Sequence, residues 1–135
     1  MSSDWSGVMT CIVTNQTGGP ITKVTTFHSW NDGSQGPLAY SLGDGASNSF
    51  DFKTGSGSDD LWSISFTDAE GSVWYRDDKQ CNVDESDWQS GKPVQIDLGA
   101  PSTGWSVVLP VSSGCPDNYY DQGTSAPAAL DRSFL

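Results

Sequence analysis

The sequence predicts an all-β protein, a single antiparallel β-sandwich of about eight short strands. Three observations carry that expectation. Apolar and polar residues alternate with a period of two, most cleanly in Leu61 to Thr67, where Trp62, Ile64 and Phe66 interleave with Ser63, Ser65 and Thr67. Clusters of Gly, Asn, Asp and Ser punctuate the chain about every ten residues, the rhythm of short strands joined by turns. No stretch repeats its apolar residues at helical spacing.

The first strand runs from Val8 to Thr14, with Val8, Thr10 and Ile12 on one face and Met9, Cys11 and Val13 on the other. Both faces are moderately apolar, which suits a strand in the middle of a sandwich. Asn15-Gln16-Thr17-Gly18-Gly19-Pro20 then stops it with strong turn chemistry. A second strand, Ile21 to Trp30, puts Val24, Thr26, His28 and Trp30 on one side, and the short connection favours a hairpin with the first. Asn31 to Pro37 closes it. Short strands at Leu38 to Leu42 and Asn48 to Lys53 flank Gly43-Asp44-Gly45, and Thr54 to Asp60 reads as a loop. After Leu61 to Thr67, the turn Asp68-Ala69-Glu70-Gly71 leads into Ser72 to Arg76. Asp77 to Pro93 reads as irregular, and the alternations Val94, Ile96, Leu98 and Trp105, Val107, Leu109 mark the last two strands. From Val111 the pattern dissolves. The expected organisation is a sandwich over residues 1–116 and a loosely attached tail over 117–135.

Charge narrows the partners. A net −11, from 17 acidic against 6 basic residues, repels phosphate backbones and anionic lipid, so nucleic acid is excluded as a natural partner. A membrane partner would have to be a neutral or zwitterionic lipid, and an uncharged carbohydrate is equally compatible. Solubility is the plain reading of the charge. No run approaches the ~20 apolar residues of a transmembrane segment, and Met1-Ser2-Ser3-Asp4-Trp5 lacks the basic and apolar regions of a secretory signal. The expected location is therefore cytoplasmic, or outside after release without a signal peptide. Cys11, Cys81 and Cys115 show no metal-finger spacing; reduced thiols are the default, with a Cys81 to Cys115 bridge as the alternative.

Several local patterns occur together in an order that resembles a known group. They are Val13-Thr14-Asn15-Gln16-Thr17-Gly18-Gly19-Pro20-Ile21, His28-Ser29-Trp30 with Asp32-Gly33, and Asp60-Leu61-Trp62-Ser63-Ile64-Ser65-Phe66-Thr67-Asp68 with Gly71. Cys81-Asn82-Val83 and Trp105-Ser106-Val107-Val108-Leu109-Pro110 with Cys115 complete the set. Over residues 5–116 the chain resembles the aegerolysin-like β-sandwiches, and most of all the small proteins up-regulated in long-lived, insulin-receptor-deficient nematodes, with their fungal and bacterial relatives. The resemblance implies a two-sheet sandwich. The nematode-type family has no agreed activity, whereas aegerolysins recognise membrane lipids, so lipid recognition enters only as a fold-level analogy.

Six tryptophans are many for one small core. Trp62, Phe66 and Trp105 have core-facing alternation and read as packing. Trp30 closes a strand, Trp74 has opposite parity to Val73 and Tyr75, Trp88 lies among acids, and Tyr119 and Tyr120 follow the last strand. These five are the candidate ligand-binding residues. His28, the sole histidine, sits beside Val24 and reads as a hydrogen-bonded structural residue, and no catalytic constellation or cofactor motif stands out. Asp84, Glu85 and Asp87 are weak candidates for Ca²⁺, without the Asp-x-Asp-x-Asp-Gly spacing of a calcium loop. The leading expectation is a non-enzymatic binding protein that recognises a lipid surface through exposed aromatics. The alternatives are lectin-like carbohydrate binding and an interaction module forming homo- or heterodimers through a sandwich edge.

Overall fold

A computed structural model describes residues 4–31, 33–36 and 40–123. Eleven strands and one short helix occur among them, packed as two sheets face to face. The first sheet contains β1 (Ser6–Gln16), β5 (Ser47–Gly55), β8 (Val94–Gly99), β9 (Trp105–Val108) and β10 (Cys115–Asp117), in the order β10-β9-β8-β1-β5. The second contains β2 (Ile21–Ser29), β3 (Gly33–Gln35), β6 (Leu61–Thr67), β7 (Val73–Gln80) and β11 (Tyr120–Gly123), in the order β11-β7-β6-β2-β3, with β4 (Tyr40–Leu42) also pairing to β2. The all-β sandwich is as the alternation requires.

The inner faces follow the period of two. Met9, Cys11 and Val13 of β1 face Ile64, Phe66 and Trp62 of the other sheet across one core that also contains Phe52, Ile96, Leu98 and Trp105. Trp62 and Trp105 are fully buried, as their alternation predicts. The Trp62 indole N–H donates to the Cys81 carbonyl at 2.9 Å, which satisfies its polar tip inside the core. Ser63 and Ser65 are buried as well, so both faces of β6 are covered. A shift in the β6–β7 register brings Ser63 Oγ to Asp77, to which it donates, while the backbone N–H of Asp78 donates to that hydroxyl.

The expected hairpin of the first two strands does not form. β1 pairs with β5 antiparallel and with β8 in parallel, whereas β2 pairs with β3, β4 and β6. The intervening turn crosses from one sheet to the other. Asn15 fixes the crossing: its fully buried amide donates to the carbonyls of Gly19, Leu42 and Gly43, and its oxygen accepts from the Thr17 N–H and hydroxyl. Strong turn chemistry is therefore compatible with either a hairpin or a sheet-to-sheet corner.

The stretch read as irregular is more ordered than expected. Residues through Gln80 extend β7, and Glu85–Gln89 form helix α1, one turn too short to show a helical period. Beyond residue 116, Asp117 still pairs with Trp105 and Tyr120 pairs with Tyr75, so the boundary expected there cuts through two strand pairings. Residues 124–135 of the expected tail lie outside the described residues. Cys81 and Cys115 are joined by a disulfide, so the expectation of reduced thiols is corrected, and Cys11 is free and buried. No helix among the described residues is long and apolar enough to cross a membrane.

Candidate binding groove at an aromatic rim

Where β1 begins, the first sheet carries a rim of indoles. Trp5 stacks on Trp88 with ring centroids 5.3 Å apart and planes 17° from parallel. Two glycines make room for the rim. A Cβ on Gly7 would collide with the Trp88 indole, and one on Gly55 would collide with the Trp5 carbonyl and lie 2.8 Å from the Trp30 ring. The Trp5 backbone is pinned to the end of β5, because its N–H donates to Ser56 Oγ at 3.0 Å and its carbonyl accepts the Ser56 N–H at 2.9 Å.

Two depressions flank this rim. The larger, about 560 Å³, follows the outward face of β1 and is lined by Val8, Thr10, Ile12, Asp51, Trp88 and Lys92, among others. Val8 is 64% exposed there and adds an apolar side chain to the groove wall. Thr10 Oγ1 donates to Asp51 Oδ1 at 2.9 Å, which orients the carboxylate across the strand pair. The smaller, about 400 Å³, is lined by Asp4, Trp5, Trp30, Asn31 and Ser56. The Trp30 indole nitrogen is shielded from solvent and has no hydrogen-bond acceptor within the described structure.

Trp88 is held in place by its neighbour in sequence. Asp87 is fully buried, and its carboxylate accepts from the backbone N–H groups of Asp84, Val111 and Ser112 and from Ser112 Oγ, at 2.5 to 2.9 Å. Burial alone would raise its pKa, but the Ser112 side chain and these backbone donors together hold it below the usual carboxylate range. The clamp fastens α1 to the segment after β9, and the Cys81–Cys115 bridge ties the same two regions covalently.

The chain matches no described protein family and no curated protein sequence. Geometry is therefore the ground on which the expected site residues are sorted. Trp30 and Trp88 are brought to one rim, joined through Trp5. The other three candidates lie elsewhere. Trp74 is half-buried against the core and donates to Asp68 Oδ2 at 2.9 Å. Tyr119 is buried, edge-on to Phe66 at 5.2 Å, with its hydroxyl donating to the Gly99 carbonyl at 2.9 Å. Its place is in the core. Only Tyr120, 50% exposed, faces outward, packed on Tyr75 with the Arg76 guanidinium 5.4 Å from its ring centre.

The acidic candidates are also separated by role. Asp87 has both oxygens occupied by protein donors, so it is a structural clamp and offers a cation no free oxygen. Glu85 accepts from Gln89 along the helix and Asp84 is exposed; no cluster of three or more metal-ligating side chains occurs among the described residues. His28 is fully buried between Phe52 and Trp62, with Nε2 2.6 Å from Asp60 Oδ1. Asp60 also accepts from Thr54 Oγ1 and the Val83 N–H, which makes this a buried network joining β2, β5 and the segment after β7. The structural reading of His28 holds.

Sequence reasoning missed Trp5, Asp51 and Lys92 as groove residues. Trp5 precedes the first strand and had no alternation to place it. Asp51 and Lys92 are ordinary surface charges until strand pairing and α1 set them beside Trp88.

Proposed function

We propose that this protein acts by binding, and that the groove beside Trp88 takes a neutral polyol head group, carried on a lipid surface or free as carbohydrate. The observation that carries this reading is the stacked Trp5–Trp88 pair at the wall of a groove that also contains Asp51 and Lys92. An indole face covers the apolar side of a sugar ring, while a carboxylate and an ammonium bond its hydroxyls. The half-buried state of these rings favours recognition of a head group over deep insertion into lipid. The Cys81–Cys115 bridge supports work in an oxidising setting, the released branch of the expected locations.

The experiment is co-sedimentation with vesicles of phosphatidylcholine, of phosphatidylcholine carrying a neutral glycolipid, of a sphingolipid–sterol mixture and of an anionic lipid. Pelleting with the glycolipid vesicles, competition by the soluble head group and loss on Trp88→Ala are the expected results. A protein that pellets with no vesicle and binds no glycan on an array would retire this reading and leave the rim as a protein interface.

A further inference from the structure

The rim has two depressions, and a single head group would fill only one. We infer that the ligand is an extended, uncharged glycan whose consecutive units occupy both, passing over Trp5. The inference rests on the polyol reading given above and names the ligand's class and length.

Three observations support it. Trp5 belongs to both halves, because its ring stacks on Trp88 beside the larger groove and it also lines the smaller cleft with Trp30. Each depression, about 560 and about 400 Å³, falls by itself within the size range that holds a small ligand. Three indoles, from just before β1, just after β2 and from α1, thus meet at one end of the sandwich, and Trp88 and Trp30 each line a depression there, which gives a chain of rings two places to lie and a lone ring only one. The third observation is the shielded Trp30 nitrogen. A solvent-hidden donor without an acceptor is costly, and although the core indole of Trp105 shares that state, Trp30 also lines the smaller cleft, where a slight shift of its ring on binding would let a ligand hydroxyl supply the missing acceptor. Asp4, Asn31 and Ser56 add polar groups to that cleft, without a basic residue among them. An anionic glycan would meet Asp4 in the smaller cleft and Asp51 in the larger, offset only by Lys92, within a protein of net charge −11. An uncharged chain meets no such repulsion.

The test is calorimetric titration with neutral linear oligosaccharides of the cello-, manno- and chito- series, one to six units long. Affinity should rise roughly tenfold between one unit and four and then level off, the gain expected of one further stacked ring with a satisfied donor. Trp30→Ala should abolish that rise while leaving the weak binding of the shortest ligand, and Trp88→Ala should remove both. Ser6→Tyr, which adds bulk at an exposed position lining the smaller cleft, should act as Trp30→Ala does without removing any packing. Equal affinity for all lengths, with Trp88→Ala still abolishing binding, would overturn the two-cleft inference and leave the single-groove reading standing. Absence of binding to every member of the three series, together with no glycolipid pelleting, would overturn both.

Discussion

Two aromatic regions of this molecule are built from the same residue types and come out differently. At the rim, Trp5 and Trp88 stack on each other, Trp88 lies against Gly7 and Trp30 against Gly55, with depressions on either side. Around Tyr119, the rings of Phe66, Trp74 and Tyr119 pack together, and each polar tip is satisfied by the protein, Tyr119 by Gly99 and Trp74 by Asp68. Where the fold itself answers an aromatic's hydrogen bond and covers its faces, the residue is packing. Where it leaves a nitrogen unanswered and a face beside open space, the residue is available to a ligand.

The sharpest way to break this comparison sets a core indole against a rim indole. Trp62→Ala removes a fully buried ring and should cost roughly 3–5 kcal/mol by denaturant titration. Trp88→Ala should cost clearly less, while erasing the exciton band that the stacked Trp5–Trp88 pair contributes to the far-ultraviolet circular dichroism. Equal losses for the two variants would mean that the rim is core. Next in size, Cys115→Ser opens a bridge between residues 34 apart in sequence and should cost about 3–4 kcal/mol, read as a lowered denaturation midpoint that a reductant does not lower further.

Asp87 sharpens the same contrast, because it holds the rim by a charge. Its carboxyl lies below the ordinary range when folded, so the stabilisation it provides is complete above the unfolded value of about 3.9 and is lost as pH falls below that value. Asp87→Asn should cost about 2–3 kcal/mol at neutral pH, since it removes a charged acceptor from buried donors. It should also flatten the acid limb of a stability–pH profile and weaken the Trp5–Trp88 dichroism. A variant with an unchanged acid limb would show that the clamp is not what fixes α1. The smallest expected effect is that of Tyr119→Phe, about 1 kcal/mol for the bond to Gly99, with glycan or vesicle binding unchanged. Lost binding there would move Tyr119 back among the ligand residues.

Much of the fold was legible because local alternation and burial share one cause. The period of two in Leu61–Thr67 and in Val94, Ile96, Leu98 placed those strands and their inner faces, and the core status of Trp62 and Trp105 followed. The strands β3, β10 and β11 are three or four residues long, too short for a pattern, and Pro116 in β10 disguises one further. The candidate site was half legible. An excess of indoles announced surplus aromatic surface, and Trp30 and Trp88 were among those singled out. Tyr119 and Tyr120 could not be told apart, because adjacent residues on an extended chain point to opposite sides and nothing local says which side is covered.

Sequence by itself determined the all-β class, eight strand positions, the net negative charge and the presence of more aromatic rings than one core needs. Those properties depend on neighbours within a few residues or on totals along the chain. Tertiary structure alone decided that β1 lies between β5 and a parallel β8, that Cys81 meets Cys115, that Asp87 is a clamp and that Trp5 joins Trp88 to Trp30. Each of these joins residues far apart in sequence, and their meeting depends on how two sheets bury their inner faces against each other, which no local pattern records.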